Sequence, residues 1–265
     1  MARPSPTVRA DMITRDKPLT RHRGLDPRYA GMERRLRAVR RIVAVTGGKG
    51  GIGKSSIASL LALVLAETGR RIGLLDLDIT APTDHVILGL DGIRPTERFG
   101  LEPPETHGIQ FMSVSQFVGQ TPAPLRGTDV TNALLEVLAV TCWREVDVLV
   151  IDMPPGLGDA TLDLARLLPR AEYLVVAVAS RVVLETVRRM LRLLADLRVP
   201  ITGVLENMAR DQGAAVEDLA RQFGVLYLGA VPVDHGLEDA NGSVERLSRT
   251  TAAAALRGIR DQLLT

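Results

Sequence analysis

Between residues 47 and 56 the chain reads Gly47-Gly48-Lys49-Gly50-Gly51-Ile52-Gly53-Lys54-Ser55-Ser56, and Gly48, Gly53, Lys54 and Ser55 satisfy G-x-x-x-x-G-K-[ST]. Glycines let successive backbone N–H groups converge on one anion with no Cβ in the way. A lysine closing the run reaches the outer phosphates of a nucleotide, and the serine after it offers a hydroxyl to Mg²⁺. The chemistry this predicts is binding of ATP and Mg²⁺. Gly48, Lys49, Gly50, Gly51, Ile52, Gly53, Lys54, Ser55 and Ser56 line the nucleotide, Lys54 also acts in catalysis, and Ser55 also serves the metal. Lysine is otherwise almost absent, occurring only as Lys17, Lys49 and Lys54. Two of three lysines in one six-residue window, in a chain that elsewhere uses arginine, point to a task for which a compact ammonium suits better than a planar guanidinium.

Phosphoryl transfer also needs a held metal and a held water. Asp152 closes the apolar run Val148-Leu149-Val150-Ile151, and a carboxylate there is tolerable only at the exit of a strand, where the loop also lies. It is the predicted Mg²⁺ partner alongside Ser55, through water. Asp76 and Asp78 close Ile72-Gly73-Leu74-Leu75, and their spacing of two puts both side chains on one face if the strand stays extended. In Asp152-Met153-Pro154-Pro155-Gly156-Leu157-Gly158-Asp159, the prolines restrict the backbone while Gly156 can bring an N–H close to a γ-phosphate.

These residues require a parallel sheet with its C-terminal edge at the loop. Ile42–Thr46 precedes the loop and Ser55–Glu67 follows it as a helix whose positive end adds to the amide field. Further strands are predicted at 71–77, 109–114, 146–151, 173–179, 201–205 and 225–228. Helices are predicted at 130–140, 160–168, 184–197, 214–223 and 244–264. Strands apolar on both faces and alternating with helices mean an α/β fold, a three-layer, doubly wound, mostly parallel sheet. Residues 1–40 carry eleven basic against four acidic side chains, are broken by prolines, and read as a basic flexible arm ending in a short helix at 32–40; residues 41–265 form the ATPase domain. Cys142 is the only cysteine, so an internal disulfide is excluded, and a buried inert thiol is expected. No run approaches the ~20 apolar residues of a membrane span and no signal-like segment is read at the start, so the cytoplasm is the expected compartment.

With Lys49 included, the loop resembles the deviant Walker A group, K-G-G-x-G-K-[ST], that includes MinD, ParA and Mrp-type ATPases, the SIMIBI class of P-loop NTPases. The blocks Thr46–Ser56, Asp76–Pro82, Arg126-Gly127, Val146–Asp159, Glu206-Asn207-Met208 and Leu228–Asp234 occur in the order found in Mrp-type (ApbC-like) iron-sulfur cluster carrier ATPases. The resemblance implies a homodimer in which Lys49 crosses to the partner's nucleotide, a role comparable to an arginine finger worth ~10³–10⁵ in rate. It also implies that Asp78 positions the attacking water with support from Asp76, that Asn207 reads adenine, and that the segment around Pro232 lines the base. It implies a protein client in metallocofactor maturation and slow turnover without that partner. The chain departs from the family where carriers place C-x-x-C: here Met208-Ala209-Arg210-Asp211-Gln212-Gly213-Ala214 has no cysteine, so the usual bridging iron-sulfur cluster is not expected. The alternative is a MinD- or ParA-like positioning ATPase acting on membrane or nucleic acid through the basic arm; a solvated arm is favoured over such contact. An apolar stripe of Leu256, Ile259 and Leu263 is assigned to packing on the sheet rather than to a membrane.

Overall fold

A computed structural model describes residues 26–116, 128–210 and 214–264. Arg126-Gly127, most of the basic arm and residues 211–213 after the Asn-Met pair lie outside them.

Eight strands form one sheet in the order β10-β9-β8-β1-β7-β2-β6-β5. They are β1 (Val39–Gly47), β2 (Ile72–Asp76), β5 (Glu105–Thr106), β6 (Ile109–Ser113), β7 (Val146–Asp152), β8 (Ala171–Ala177), β9 (Ile201–Ala209) and β10 (Tyr227–Pro232); a separate hairpin pairs β3 (Thr96–Glu97) with β4 (Leu101–Glu102). Every neighbouring pair in the large sheet is parallel except the edge pair β5–β6. The parallel strands are long apolar runs because both faces are covered, and Ala44, Leu74, Leu149 and Leu174 have no solvent exposure. β1 lies between β7, on the side toward β2, and β8, on the side toward β9 and β10. The chain therefore runs outward in opposite directions from β1, and the crevice at that reversal is where such sheets bind ligands.

The helices are α1 (Pro27–Leu36), α2 (Lys54–Ala66), α3 (Asp84–Leu88), α4 (Thr128–Val140), α5 (Asp159–Leu167), α6 (Arg181–Asp196), α7 (Ala214–Gln222), α8 (Leu237–Ala240), α9 (Val244–Ser248) and α10 (Thr251–Ile259). α2 is buried on nearly every side, from Ile57 through Leu65, by β1, β2, β7 and α10. Its apolar residues follow no single stripe because no face of it meets water.

Three expectations are corrected. The arm does not extend to residue 40: Asp26 caps α1 by accepting from the Arg28 amide, Pro27 occupies the first helical position, and Tyr29, Met32 and Leu36 are buried against α4. Three apolar residues at helical spacing inside an arginine-rich stretch anchor this segment, whose helix begins earlier than the predicted 32–40 and yields to β1 at Val39. The expected helix 244–264 is divided into α9, α10 and a 3₁₀ turn at Arg260–Leu263, because the Thr250 side chain accepts from the Ala253 amide and starts a new helix. The apolar stripe does pack inward: Leu256 and Leu263 are buried, and α10 lies on β10 and α2. Cys142 is half-buried rather than enclosed, beside the Val140 carbonyl. No helix among the described residues is long and apolar enough to cross a membrane.

Candidate functional site

The loop leaves β1 at Gly47 and enters α2 at Lys54, as its residue order demands. Gly51 and Gly53 take left-handed φ values of 78° and 77°, which a side chain would strain. A Cβ at Gly48 would lie 2.5 Å from Thr186 Oγ1 and 2.6 Å from its carbonyl carbon, so the loop runs flush against the first turns of α6. The second proline loop is tied to the same place, since the Gly156 amide donates to the Gly47 carbonyl at 3.2 Å and the Met153 amide to Val45 at 3.1 Å. Gly156 has φ 80° and open space where a Cβ would stand. Asp159 is the first residue of α5 rather than a side-chain cap, and Thr161 Oγ1 instead donates back to the Gly156 carbonyl at 3.0 Å.

Lys54, Ser55 and Asp152 converge. Lys54 Nζ is 2.5 Å from Asp152 Oδ1 and Ser55 Oγ donates to Asp152 Oδ2 at 2.6 Å. Asp152 has no solvent exposure; burial raises its pKa, and the ammonium of Lys54 only partly offsets this. Asp76 sits beside it in register on β2 and accepts from the Asp78 amide at 3.0 Å and from Ser113 Oγ at 3.2 Å. Burial, and then the charge of Asp152, push Asp76 up to about 7. The strand ends at Asp76, and Asp78 lies in the turn beyond it, near enough for its charge to act on Asp76 and Asp152. Asp78 folds into a turn in which Oδ1 accepts from the Thr80 amide, Thr80 Oγ1 and the Ala81 amide, and Oδ2 takes part in none of these bonds. Lys49 is exposed on the outer side of the loop and makes no ion pair among the described residues, in contrast to the buried Lys54.

Asn207, at the far end of β9, is buried and donates from Nδ2 to the Ile52 carbonyl at 2.9 Å. It thereby braces the loop from the β9 side. Beyond it opens a cavity of about 630 Å³ lined by Gly53, Ser56, Ser180, Asn207, Arg210 and Pro232 among others. Its outer wall is held by Asp234, which accepts from Thr251 Oγ1 at 2.6 Å and from the Ala252 amide at 3.1 Å, fixing the start of α10. A left-handed glycine loop flanked by such a cavity fits a nucleotide. The oxygen-only pair Ser55 and Asp152 at the loop fits magnesium.

Three contributors were not read from the sequence. Asp84 is wholly buried next to Asp76 and Asp152, held by Ser59 Oγ at 2.9 Å, and Thr186 closes against Gly48. Asp84 and Ser59 are separated by twenty-five residues, and nothing local marks their meeting.

A parallel sheet that reverses at β1, a glycine loop entering α2 through Lys54-Ser55, and a carboxylate at the end of the adjacent strand define a P-loop nucleoside triphosphatase. Residues 38–264 match the family described as ParA: NUBPL iron-transfer P-loop NTPase, and the chain belongs to that family. It is 36% identical over 252 residues to an iron-sulfur cluster carrier protein of Pseudomonas fragi, covering 84% of this chain and 88% of that one. It is 38% identical over 220 residues to the protein of the same name from Escherichia coli K12, covering 77% of this chain and 59% of the relative, so it spans about three fifths of that protein's length. Among solved structures it resembles a nucleotide-binding protein from Archaeoglobus fulgidus in complex with ADP, with TM-score 0.70 and 27% identity over 83% of this chain and 93% of the other. The cell division ATPase MinD of Pyrococcus furiosus shares the fold at TM-score 0.61 and 19% identity, over 84% of this chain and 98% of that one.

Proposed function

We propose that this protein is an ATP-hydrolysing homodimeric switch in iron-sulfur or other metallocofactor protein maturation, acting on a protein client in the cytoplasm without a cluster bridged by C-x-x-C pairs. The observation that carries it is the division of labour between the two loop lysines. Lys54 is buried on Asp152, in reach of phosphates held by the loop, whereas Lys49 is exposed and has no ion pair among the described residues. An exposed ammonium at the mouth of a phosphate loop is placed to act on a nucleotide held by a second subunit. Support for the pathway comes from relatives named as iron-sulfur cluster carriers. The cluster argument rests on composition: these 265 residues contain one cysteine, and a C-x-x-C pair needs two.

In this reading the amides of Gly50 to Ser55 hold the phosphates and Lys54 leaves Asp152 for the outer ones. Ser55 and Asp152 hold magnesium, which when bound offsets phosphate charge. Asp78, anchored through Oδ1, presents Oδ2 to the attacking water, and Asp76 fixes the Asp78 amide; the Gly156 N–H, bonded to the Gly47 carbonyl, turns from it to meet the γ-phosphate. Asn207, Pro232 and Ser56, which line the cavity, border the adenine side, and Gly48 and Ile52 belong to the loop around the phosphates.

Phosphate release measured for wild type and Lys49→Ala across protein concentration tests the core of it. Wild type gains specific activity as dimer forms, and Lys49→Ala loses at least tenfold while still binding a fluorescent ATP analogue; equal rates would remove the interface role. Reconstitution with iron and sulfide should leave no stable cluster. Burial of Leu256 and Leu263 counts against a membrane-positioning role, and ATP-dependent co-sedimentation with liposomes or DNA would reverse that judgement.

A further inference from the structure

Asp84 is not part of the loop, of either switch, or of the cavity, yet it is wholly buried at the start of α3 beside the metal-binding face of the site. One carboxylate oxygen each from Asp76, Asp84 and Asp152 lies within 4.8 Å of the other two. Asp76 is held by the Asp78 amide and Ser113, Asp152 by Lys54 and Ser55, and Asp84 Oδ1 by Ser59. Asp84 Oδ2 is different. It is buried and has no hydrogen-bond partner among the described residues. An enclosed carboxylate oxygen without a donor is costly, and three carboxylates this close in a dry interior repel one another unless protons or a cation neutralise them. Among the described residues Lys54 is the one ammonium paired with the group, through Asp152.

We infer that Asp84 completes a site with Asp76 and Asp152 that binds a divalent cation before any nucleotide arrives. The separation of the oxygens is within the span bridged by metal–oxygen bonds of about 2.1–2.6 Å after slight contraction. The donors are all carboxylate or hydroxyl oxygens, which suit Mg²⁺, Mn²⁺ or Ca²⁺ and not metals that prefer sulfur or imidazole. Each carboxylate oxygen that accepts one hydrogen bond keeps a second lone pair for a metal. The site rests on the metal role given to Asp152 above and extends it: a cation on Asp152 displaces Lys54 Nζ, so loading of the metal and release of the lysine toward phosphate are one event.

The test is a Mn²⁺ titration of the full chain, stripped of nucleotide and metal, followed by the loss of the free-ion electron paramagnetic resonance signal. One Mn²⁺ per chain is expected. Asp84→Asn, which keeps the shape and can still accept from Ser59, should weaken binding at least tenfold. Lys54→Met, which removes the competing ammonium, should tighten it severalfold. Absence of bound Mn²⁺ in wild type, unchanged affinity in Asp84→Asn, or unchanged or weakened affinity in Lys54→Met would each overturn the inference. Circular dichroism and binding of a fluorescent ATP analogue in EDTA verify that Asp84→Asn is folded; if it is not, the Lys54→Met arm decides. Phosphate release with no nucleotide-free Mn²⁺ binding would sink this site and leave the ATPase reading standing. Mn²⁺ binding with no phosphate release would do the reverse.

Discussion

The brace between Asn207 and the phosphate loop can be isolated by comparing two glycines with nearly the same backbone. Gly51 and Gly53 have φ values of 78° and 77°, so an alanine at either carries a left-handed penalty of about 1–2 kcal/mol. Around Gly51 there is nothing within 4 Å of a new Cβ. At Gly53 the Cβ would fall on Asn207 Nδ2, well inside contact distance, and the next neighbour outside that side chain is Met208 Cε at 3.4 Å. Asn207 has a short side chain in a buried setting, so the clash is relieved only by breaking its bond to the Ile52 carbonyl, which leaves buried polar groups unpaired at about 1–3 kcal/mol. Gly53→Ala should therefore cost about 2–5 kcal/mol and Gly51→Ala about 1–2 kcal/mol. In an Asn207→Ala background the clash is absent, and Gly53→Ala should fall back to the cost at Gly51, a coupling of about 1–3 kcal/mol. Denaturant unfolding of the four variants and wild type, with nucleotide removed, measures all of these. Equal costs at the two glycines, or a Gly53→Ala cost unchanged by removing Asn207, would refute the brace.

Other outcomes follow from the same geometry. Met32→Ala should destabilise the protein by about 2–5 kcal/mol in denaturant unfolding, because it opens a cavity under α1; a change below 0.5 kcal/mol would mean that this helix is not part of the packed body. Asp76, pushed up to about 7 by burial and by Asp152, holds its proton in the fold and gives it up near 3.8 when unfolded. Its contribution to stability is thus full below about pH 3.8 and lost as pH rises through about 7. In EDTA without nucleotide, Asp76→Asn should lose less stability than wild type across that window, and a parallel pair of curves would contradict the assignment. Gly48→Ala, whose Cβ would meet the Thr186 backbone at 2.6 Å, cannot be relieved by a side-chain rotation and should push α6 off the loop. A thermal midpoint within 1 °C of wild type would argue against that contact.

The strands were legible because a parallel sheet covered on both faces demands near-continuous apolar runs, and β1, β2, β6, β7, β8, β9 and β10 each contain one. α1 was less legible, since seven of the twelve basic residues in the first forty-one lie from Arg23 onward and mask the spacing of Tyr29, Met32 and Leu36. The final helix was misjudged because a threonine inside an apolar stretch looks the same whether it caps a new helix or continues an old one. For Asp76 and Asp78 the spacing rule held only on the condition of continued extension, and the strand ends at Asp76.

By itself the sequence determined the phosphate loop, the carboxylate at the end of β7 and the kind of sheet that brings them together. Each of these is a local pattern, a glycine run or an apolar run with a polar residue at its exit, and local patterns survive in one dimension. Only the tertiary structure decided that Lys54 is buried on Asp152 while Lys49 faces outward, that Asn207 braces Ile52, and that Asp84 joins Asp76 and Asp152. Those are contacts between residues up to 155 positions apart, and no periodicity along the chain encodes which strand ends meet. The order of strands around β1 does.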